Sequence, residues 1–304
     1  MEELLSLARL AIALALMSYA AVLDWKTRKV ANWVWILMAS LGLTLLIVEM
    51  LHSDNTLELT GDIWPYFLIF IPIIILLIEP YREVGYEIKG IDIVSVISGT
   101  IGLAGVLAFI YFVGLDGPAI VLLSIPIMMV VFILFYYTRL LHGGADAKAF
   151  ISMAILFPVY PVIQNLPLIA YPTNIIDSIQ MTYPFTFLIL MNAAIISVIV
   201  VSIGLFFKNL ARGDIGFPEM FMGYRMDIDD IPKKFVWPME KFIDGEHVLV
   251  LRPKRKDDVK EELAILKEQG FTRIWVNPKV PFIIPILLGI IFSVAIGNLI
   301  VLLF

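Results

Sequence analysis

Long apolar stretches separated by short polar segments run through most of the chain. Most of them are long enough to cross a hydrocarbon layer of about 30 Å as a helix. The third stretch is short, and the sixth contains Pro158, Pro161 and Pro167, which predicts a kinked or broken helix. The pattern therefore predicts an all-α polytopic membrane protein with about eight transmembrane helices. They are expected at residues 4–23, 32–51, 63–79, 91–113, 118–137, 147–170, 183–207 and 280–304.

One long polar segment interrupts this pattern before the last apolar stretch. Two short stretches in it have the composition of strands, and the stretch between them begins with two aspartates and ends at Gly270, as a capped helix does. We therefore expect a small α+β cytoplasmic domain with a βαβ-like unit. The strands are predicted at 246–253 and 271–276 and the helix at 257–270, whereas 222–240 shows no clear period. The predicted division is a transmembrane core at 1–207, a cytoplasmic α/β domain at 208–279 and a C-terminal transmembrane helix at 280–304.

The charged residues are distributed unevenly between the two ends of these stretches. All but one of the 22 lysines and arginines fall in four alternate segments, and Arg9 is the exception. These segments are 24–31, 80–90, 138–148 and 208–279. The positive-inside rule places all four in the cytoplasm and both termini outside, in a multi-pass protein of the cell membrane. Glu49, near the outer end of the second stretch, is expected to reach the adjoining loop.

The composition supports a membrane protein and excludes several kinds of site. The chain is 60% hydrophobic and 16% charged, whereas soluble domains are about half apolar and a quarter charged. It has no cysteine, which excludes disulfides, thiolate catalysis and cysteine zinc sites, and its three histidines are far apart. We expect no metal and no cofactor, contact with membrane lipid, and no nucleic-acid partner. Because no basic region or cleavage site surrounds residues 4–23, we interpret them as a retained span and not as a signal peptide.

Two carboxylates lie at the predicted cytoplasmic edge of the membrane. Asp24 ends the first apolar stretch and Asp146 opens the sixth. A structural interpretation is available for each, since Asp146 suits a helix N-cap and Asp24 could pair with the basic residues after it. A functional interpretation considers them together. Two carboxylates in a partly apolar site share one proton, so that one activates water and the other protonates a scissile carbonyl.

The residues around both aspartates resemble motifs of a known family. "HGGADAKAF" (142–150) resembles the GxGD motif of type IV prepilin peptidases, particularly archaeal preflagellin and prepilin peptidases, and "LDWKTRKVANW" (23–33) resembles their first aspartate segment. "MGYRM" (222–226) and "WVNPKVPF" (275–282) resemble the C-terminal region of some archaeal members. Ala145 stands where the strict motif has its second glycine, which we interpret as a mark of a subfamily.

This resemblance implies an aspartyl endopeptidase with Asp24 and Asp146 as its catalytic pair. Gly143, Gly144 and Ala145 would let an extended substrate backbone approach. The substrates would be archaellin or type IV pilin-like precursors with short basic leaders, cut at the cytoplasmic face. Since bacterial relatives that methylate their product often add a cysteine-rich region, we expect peptidase activity alone.

Several other polar residues are secondary candidates. The acids at the 80–90 loop are candidates for recognition of a basic leader, although a solvated loop explains them as well. Asp92 could line the site or cap the fourth span, and His142 is expected in a loop. Lys148 could mark the membrane surface, and Asn32 could be the N-cap of the second span or reach the site. The leader-recognition candidates are Glu79, Glu83 and Glu87.

Other classes of function also fit parts of the pattern. An ion-coupled secondary transporter would use the carboxylates to carry protons or cations, but the acids lie at the membrane edge and no paired interrupted segments are visible. A non-catalytic scaffold that docks a partner through 208–279 would leave both aspartate motifs without a role. A presenilin-like protease is disfavoured because no "PAL" sequence lies near the C-terminus.

Overall fold

The computed structural model consists mainly of helices and confirms the predicted fold class. Among the residues that the structure describes, six helical segments are long and apolar enough to cross a membrane, and a small sheet-containing segment precedes the last of the described helices. The structure describes residues 2–52, 62–81, 93–115, 117–141, 143–169, 184–243, 245–251 and 259–298.

Most of the apolar helices follow the predicted stretches closely. A 3₁₀ helix at Trp64–Ile69 leads into the third, and another at Glu79–Tyr81 follows it. The helices are α1 Glu2–Thr27, α2 Asn32–Leu51, α3 Phe70–Ile78, α4 Ile93–Val113, α5 Gly117–Tyr137, α6 Gly144–Leu156, α7 Phe185–Arg212 and, after the polar segment, α10 Ile283–Ala295.

The sixth helix is shorter than the sequence predicts. α6 has 13 residues, about 20 Å of helix, and does not extend to residue 170. It ends at Leu156, and the C-cap Phe157 leaves the helical region because it directly precedes Pro158. α10 likewise ends before Ile296, well short of residue 304. The break predicted in the sixth stretch is therefore present at Pro158, whereas the bounds predicted for both stretches are too long for the described residues.

Close packing against α2 and α5 holds α6 in the core of the helical unit. At Gly42 of α2, an added Cβ would lie 2.9 Å from the Cα of Leu156, so only glycine lets these helices approach. The Ser152 hydroxyl donates a hydrogen bond of 3.0 Å to the Trp35 carbonyl, which joins the same two helices. On its other side, Phe150 stacks on Phe132 of α5 with ring centroids 4.9 Å apart.

A buried ion pair joins α1 and α2 far from the aspartate end. An Arg9 Nη atom donates to a Glu49 carboxylate oxygen at 2.6 Å, and the two side chains are only 4% and 3% exposed. Arg9 precedes Asp24 by 15 positions, or about 22 Å along the helix. The expectation that Glu49 reaches a loop is wrong, because pairing with Arg9 lets both charges stay buried.

The chain divides into two compact units, residues 1–194 with 281–304 and residues 195–280. In its described residues, the second unit contains short helices and five short strands. The helices are α8 Glu219–Met222 and α9 Val259–Glu268, with a 3₁₀ helix at Ile228–Lys233. The strands are β1 Tyr224–Asp227, β2 Val236–Pro238, β3 Glu240–Ile243, β4 Glu246–Leu249 and β5 Arg273–Pro278.

The strands do not form the expected βαβ-like unit. β5 is the central strand of a three-stranded sheet and pairs antiparallel with β1 and β2. β4 forms a separate hairpin with β3, so the strands on either side of α9 are not partners. β1, β2 and the start of β3 fall within 222–240, where no period was visible. Strands of three or four residues show too little alternation to be recognised.

Candidate active site

Asp146 lies in the first turn of α6, where its side chain is 8% exposed. The residue before the helix is Gly143, with φ −103° and ψ 131°, so Gly143 is the N-cap and Asp146 the third helical residue. The interpretation of Asp146 as an N-cap is therefore wrong. A carboxylate at the third position reaches back toward the N-cap backbone, as in a capping box. The backbone N–H of Gly143 is indeed within hydrogen-bonding reach of the Asp146 carboxylate.

The two glycines before Asp146 have different surroundings. A Cβ at Gly143 would overlap one Asp146 carboxylate oxygen and lie 2.9 Å from Cγ, so the carboxylate occupies the space of a side chain. A Cβ at Gly144 would meet only the Tyr136 ring, with 3.7 Å to Oη, which is ordinary contact. Ala145 is partly buried. Only Gly143 is thus required by the position of Asp146.

Asp24 is in the last turns of α1 and is half-buried. Its carboxylate is within hydrogen-bonding reach of the backbone N–H of Ile283, the first residue of α10. Arg28, at φ 58°, provides a positive charge one turn further along. An acid at the C-terminal end of its own helix is unfavourable, but the N-terminus of a second helix favours a negative charge. The start of α10 therefore explains why a carboxylate is stable at this position.

The structure brings the two predicted carboxylates into one neighbourhood. α1 contacts α6, and the charge of Asp24 is close enough to act on the Asp146 carboxyl. Because Asp146 is buried and Asp24 is nearby, two negative charges here are unfavourable. Such a pair can hold one proton between an acid and a base.

Lys148 and Asn32 join α6 to α2 beside this pair. The Lys148 ammonium donates a 2.8 Å hydrogen bond to Asn32 Oδ1 and lies 4.8 Å from the centre of the Tyr81 ring. Ala31 is the N-cap of α2, so Asn32 is the first helical residue and the N-cap interpretation is wrong. Lys148 is two positions from Asp146 and therefore on a different helix face, where it fixes α6 from the opposite side.

Tyr81 was not recognised from the sequence. Its buried hydroxyl lies beside Ser152, and its ring faces Lys148. An aromatic residue directly after Pro80, at the end of an apolar stretch, is a signal for an interfacial anchor, but it does not reveal the partner. The contact of the Ile283 backbone N–H with Asp24 could not be predicted either, because the sequence indicates only that a helix begins after Pro281.

The other candidates are described only in part. Glu79 is partly buried in the 3₁₀ helix after α3. Glu83, Glu87, Asp92 and His142 lie outside the described residues. Within the described ranges, no three His, Cys, Asp or Glu side chains are grouped to hold a metal ion. The absence of a cofactor stays a prediction.

Comparison with known proteins shows that this chain is similar to peptidases. Residues 217–299 match the family model described as Archaeal Peptidase A24 C-terminus Type II. A preflagellin peptidase of Methanocaldococcus jannaschii is 30% identical over 188 residues, which cover 60% of this chain and 74% of that protein. A preflagellin peptidase of Methanococcus voltae is 26% identical over 299 residues, or 95% of this chain and 94% of the relative. No solved structure matches the chain.

Proposed function

Since the chain belongs to the family of archaeal preflagellin and prepilin peptidases, we propose that it removes short basic leaders from archaellin or type IV pilin-like precursors at the cytoplasmic face. It is a membrane peptidase of the prepilin type. The observation that supports the finer proposal is that the charge of Asp24 acts on the buried Asp146 carboxyl, with α1 in contact with both α6 and α10. Family membership favours a peptidase over the transporter and the scaffold.

In the proposed reaction the aspartate pair activates water. With one proton shared between Asp24 and Asp146, the ionised carboxylate takes a proton from a water molecule and the water oxygen attacks the scissile carbonyl carbon. The protonated carboxyl gives its proton to the carbonyl oxygen, which forms a neutral gem-diol. Collapse of that intermediate breaks the C–N bond. The leaving nitrogen takes a proton from the pair, and one gem-diol hydroxyl gives its proton back to the pair as the new carboxyl group forms. The pair ends with one proton and can begin another cycle.

The surrounding residues would hold the pair in place. Gly143 leaves room for the Asp146 carboxylate and presents its N–H to it. The first N–H of α10, from Ile283, faces Asp24, while Lys148 ties the first turn of α6 to Asn32. Groups held by rigid helices can be placed with the accuracy that catalysis requires.

The basic leader would be recognised by acidic residues near the site. We propose Glu79, Glu83 and Glu87 as candidates, because they lie in or directly before the 80–90 loop. Their charge is opposite to that of a basic leader. Such contacts weaken with salt, so the KM for a precursor should rise with ionic strength. The rate of the bound complex should change less.

The experiment uses the full chain in detergent or in membrane vesicles. A precursor with a basic leader, a small residue at the cut and a hydrophobic helix is incubated with the protein, and the N-terminus of the product is sequenced. We expect one cut after the leader, and slower cleavage when the leader lysines are replaced by glutamine. Failure of the wild-type protein to cut any of several such precursors would overturn the proposed function.

The cytoplasmic face can be tested separately because the chain has no cysteine. A single Lys26→Cys variant should react with a membrane-impermeant maleimide in inside-out vesicles. It should not react in right-side-out vesicles. The reverse pattern would contradict the proposed orientation, whatever the outcome of the cleavage assay.

A further inference from the structure

Two large apolar side chains are exposed in the second unit just after α7. Ile215 is 73% exposed and Phe217 is 83% exposed. They follow Arg212, the last residue of α7, by three and five positions. Exposing two such side chains to water is unfavourable, because burying large apolar side chains is stabilising. We call residues 215–217 the apolar tip.

The backbone around the apolar tip is held in one arrangement. An Asp214 carboxylate oxygen accepts a hydrogen bond from Arg273 at 3.0 Å, and Asp214 is 7% exposed. The buried Asn209 amide donates to the carbonyls of Met220 and Gly223 at 2.8 and 2.7 Å. These contacts close the loop onto the end of α7 from both sides. The tip is therefore a structured projection.

Gly216 explains why its two neighbours face outward. A Cβ at Gly216 would lie 3.0 Å from Cζ2 of Trp275, which is itself only 3% exposed. The backbone at Gly216 therefore packs directly against the ring of a core tryptophan. Ile215 and Phe217, on either side of this contact, remain on the surface.

The end of α7 identifies the surroundings of the apolar tip. α7 has 28 residues, or about 42 Å of helix, against about 30 Å of hydrocarbon. Its exposed apolar side chains continue to Phe207 and Leu210, while Lys208 and the exposed Arg212 add positive charge in the last turns. A helix end of this kind belongs in the headgroup region of a membrane. The tip, which is joined to it by Gly213 and Asp214, lies within a few residues of that region.

We propose that the apolar tip inserts into the headgroup region of the cytoplasmic leaflet and that the exposed Arg212 binds anionic lipid phosphates beside it. This arrangement gives the second unit a membrane contact directly after α7, beside its covalent link to the first unit. Apolar insertion combined with nearby basic residues is the usual chemistry of interfacial binding. The proposal concerns lipid contact and does not depend on which substrate is cut.

The test uses single cysteines in the cysteine-free chain. Phe217→Cys in the full-length protein is labelled with an environment-sensitive NBD dye and placed in nanodiscs of equal parts phosphatidylglycerol and phosphatidylcholine, with a nitroxide lipid labelled near the glycerol backbone. The control is Glu246→Cys, which is exposed at the β3–β4 hairpin of the same unit. We expect a blue-shifted emission and at least about twofold stronger nitroxide quenching at 217 than at 246.

Two further measurements separate lipid from other occupants. Adding Arg212→Gln to the labelled Phe217→Cys variant should reduce the quenching in anionic discs and leave it unchanged in pure phosphatidylcholine. Quenching at 217 no greater than at 246 would overturn the proposal. A blue shift that appears only when two copies share a disc, without nitroxide quenching, would also overturn it, because the tip would then be covered by protein.

Discussion

Replacing Gly143 by alanine should lower the activity of this protein and leave its stability nearly unchanged. The Cβ introduced at this position would overlap an Asp146 carboxylate oxygen and lie 2.9 Å from Cγ, where carbon atoms need about 3.5 Å or more. The backbone at Gly143 has φ −103°, which alanine adopts without strain. The carboxylate is the end of a flexible side chain, so it will move by roughly 1 Å while the helix stays in place.

The expected magnitudes follow from this displacement. A shift of about 1 Å in a catalytic group costs about 100-fold in rate, which corresponds to roughly 2.7 kcal/mol of transition-state stabilisation. The folded state loses a backbone contact worth about 1 kcal/mol. It regains a similar amount, because alanine restricts the unfolded chain more than glycine does. The unfolding midpoint should therefore change by no more than a few degrees.

The assay compares kcat/KM for precursor cleavage and the thermal unfolding midpoint of wild type, Gly143→Ala and Gly144→Ala. Gly144→Ala is the matched control, since its Cβ would make only ordinary contact with Tyr136 at 3.7 Å. We expect the control to keep its activity within a factor of about three. Near-wild-type cleavage by Gly143→Ala, or equal losses in both variants, would refute the reasoning.

Three further predictions test the helices that support the site. Lys148→Met removes the hydrogen bond to Asn32 and should lower the cleavage rate about tenfold. Lys148→Arg can still donate to Asn32 and should keep part of the wild-type rate. Equal rates in the wild type and both variants would exclude a role of this hydrogen bond in positioning the site. Glu49→Leu leaves the Arg9 guanidinium buried without the carboxylate that pairs with it and should lower the free energy of unfolding by about 3 kcal/mol. Adding Arg9→Met should restore most of that free energy. An unchanged free energy of unfolding in Glu49→Leu would contradict the buried ion pair. Gly42→Val would force α2 away from the backbone of α6 and lower the thermal midpoint and activity together; an unchanged midpoint would show that the helices are further apart.

The sequence was sufficient for the parts of the fold that depend on hydropathy. Apolar stretches of about 20 residues predict membrane helices, because each helix satisfies its own backbone hydrogen bonds. The same pattern does not show where a helix ends inside an apolar stretch. α6 ends at Leu156 although apolar residues continue, and its prolines indicate only that some break occurs.

The candidate site was predictable in its side chains and not in their partners. Asp24 and Asp146 stand out because carboxylates at a membrane edge are few and both lie in short family-like motifs. The N–H of Ile283 that faces Asp24 is a backbone group, which no residue type reveals. Lys148 and Asn32 are 116 positions apart, and their contact depends on how α2 and α6 pack.

The central claim is that Asp24 and Asp146 act together as one catalytic site. The most direct measurement is precursor cleavage by Asp24→Asn, Asp146→Asn and the double variant, each confirmed as folded by its unfolding midpoint. Because members of a catalytic unit are not additive, each single variant should lose as much activity as the double variant, down to background. Substantial cleavage by either single variant would show that its carboxylate is dispensable and would contradict the account.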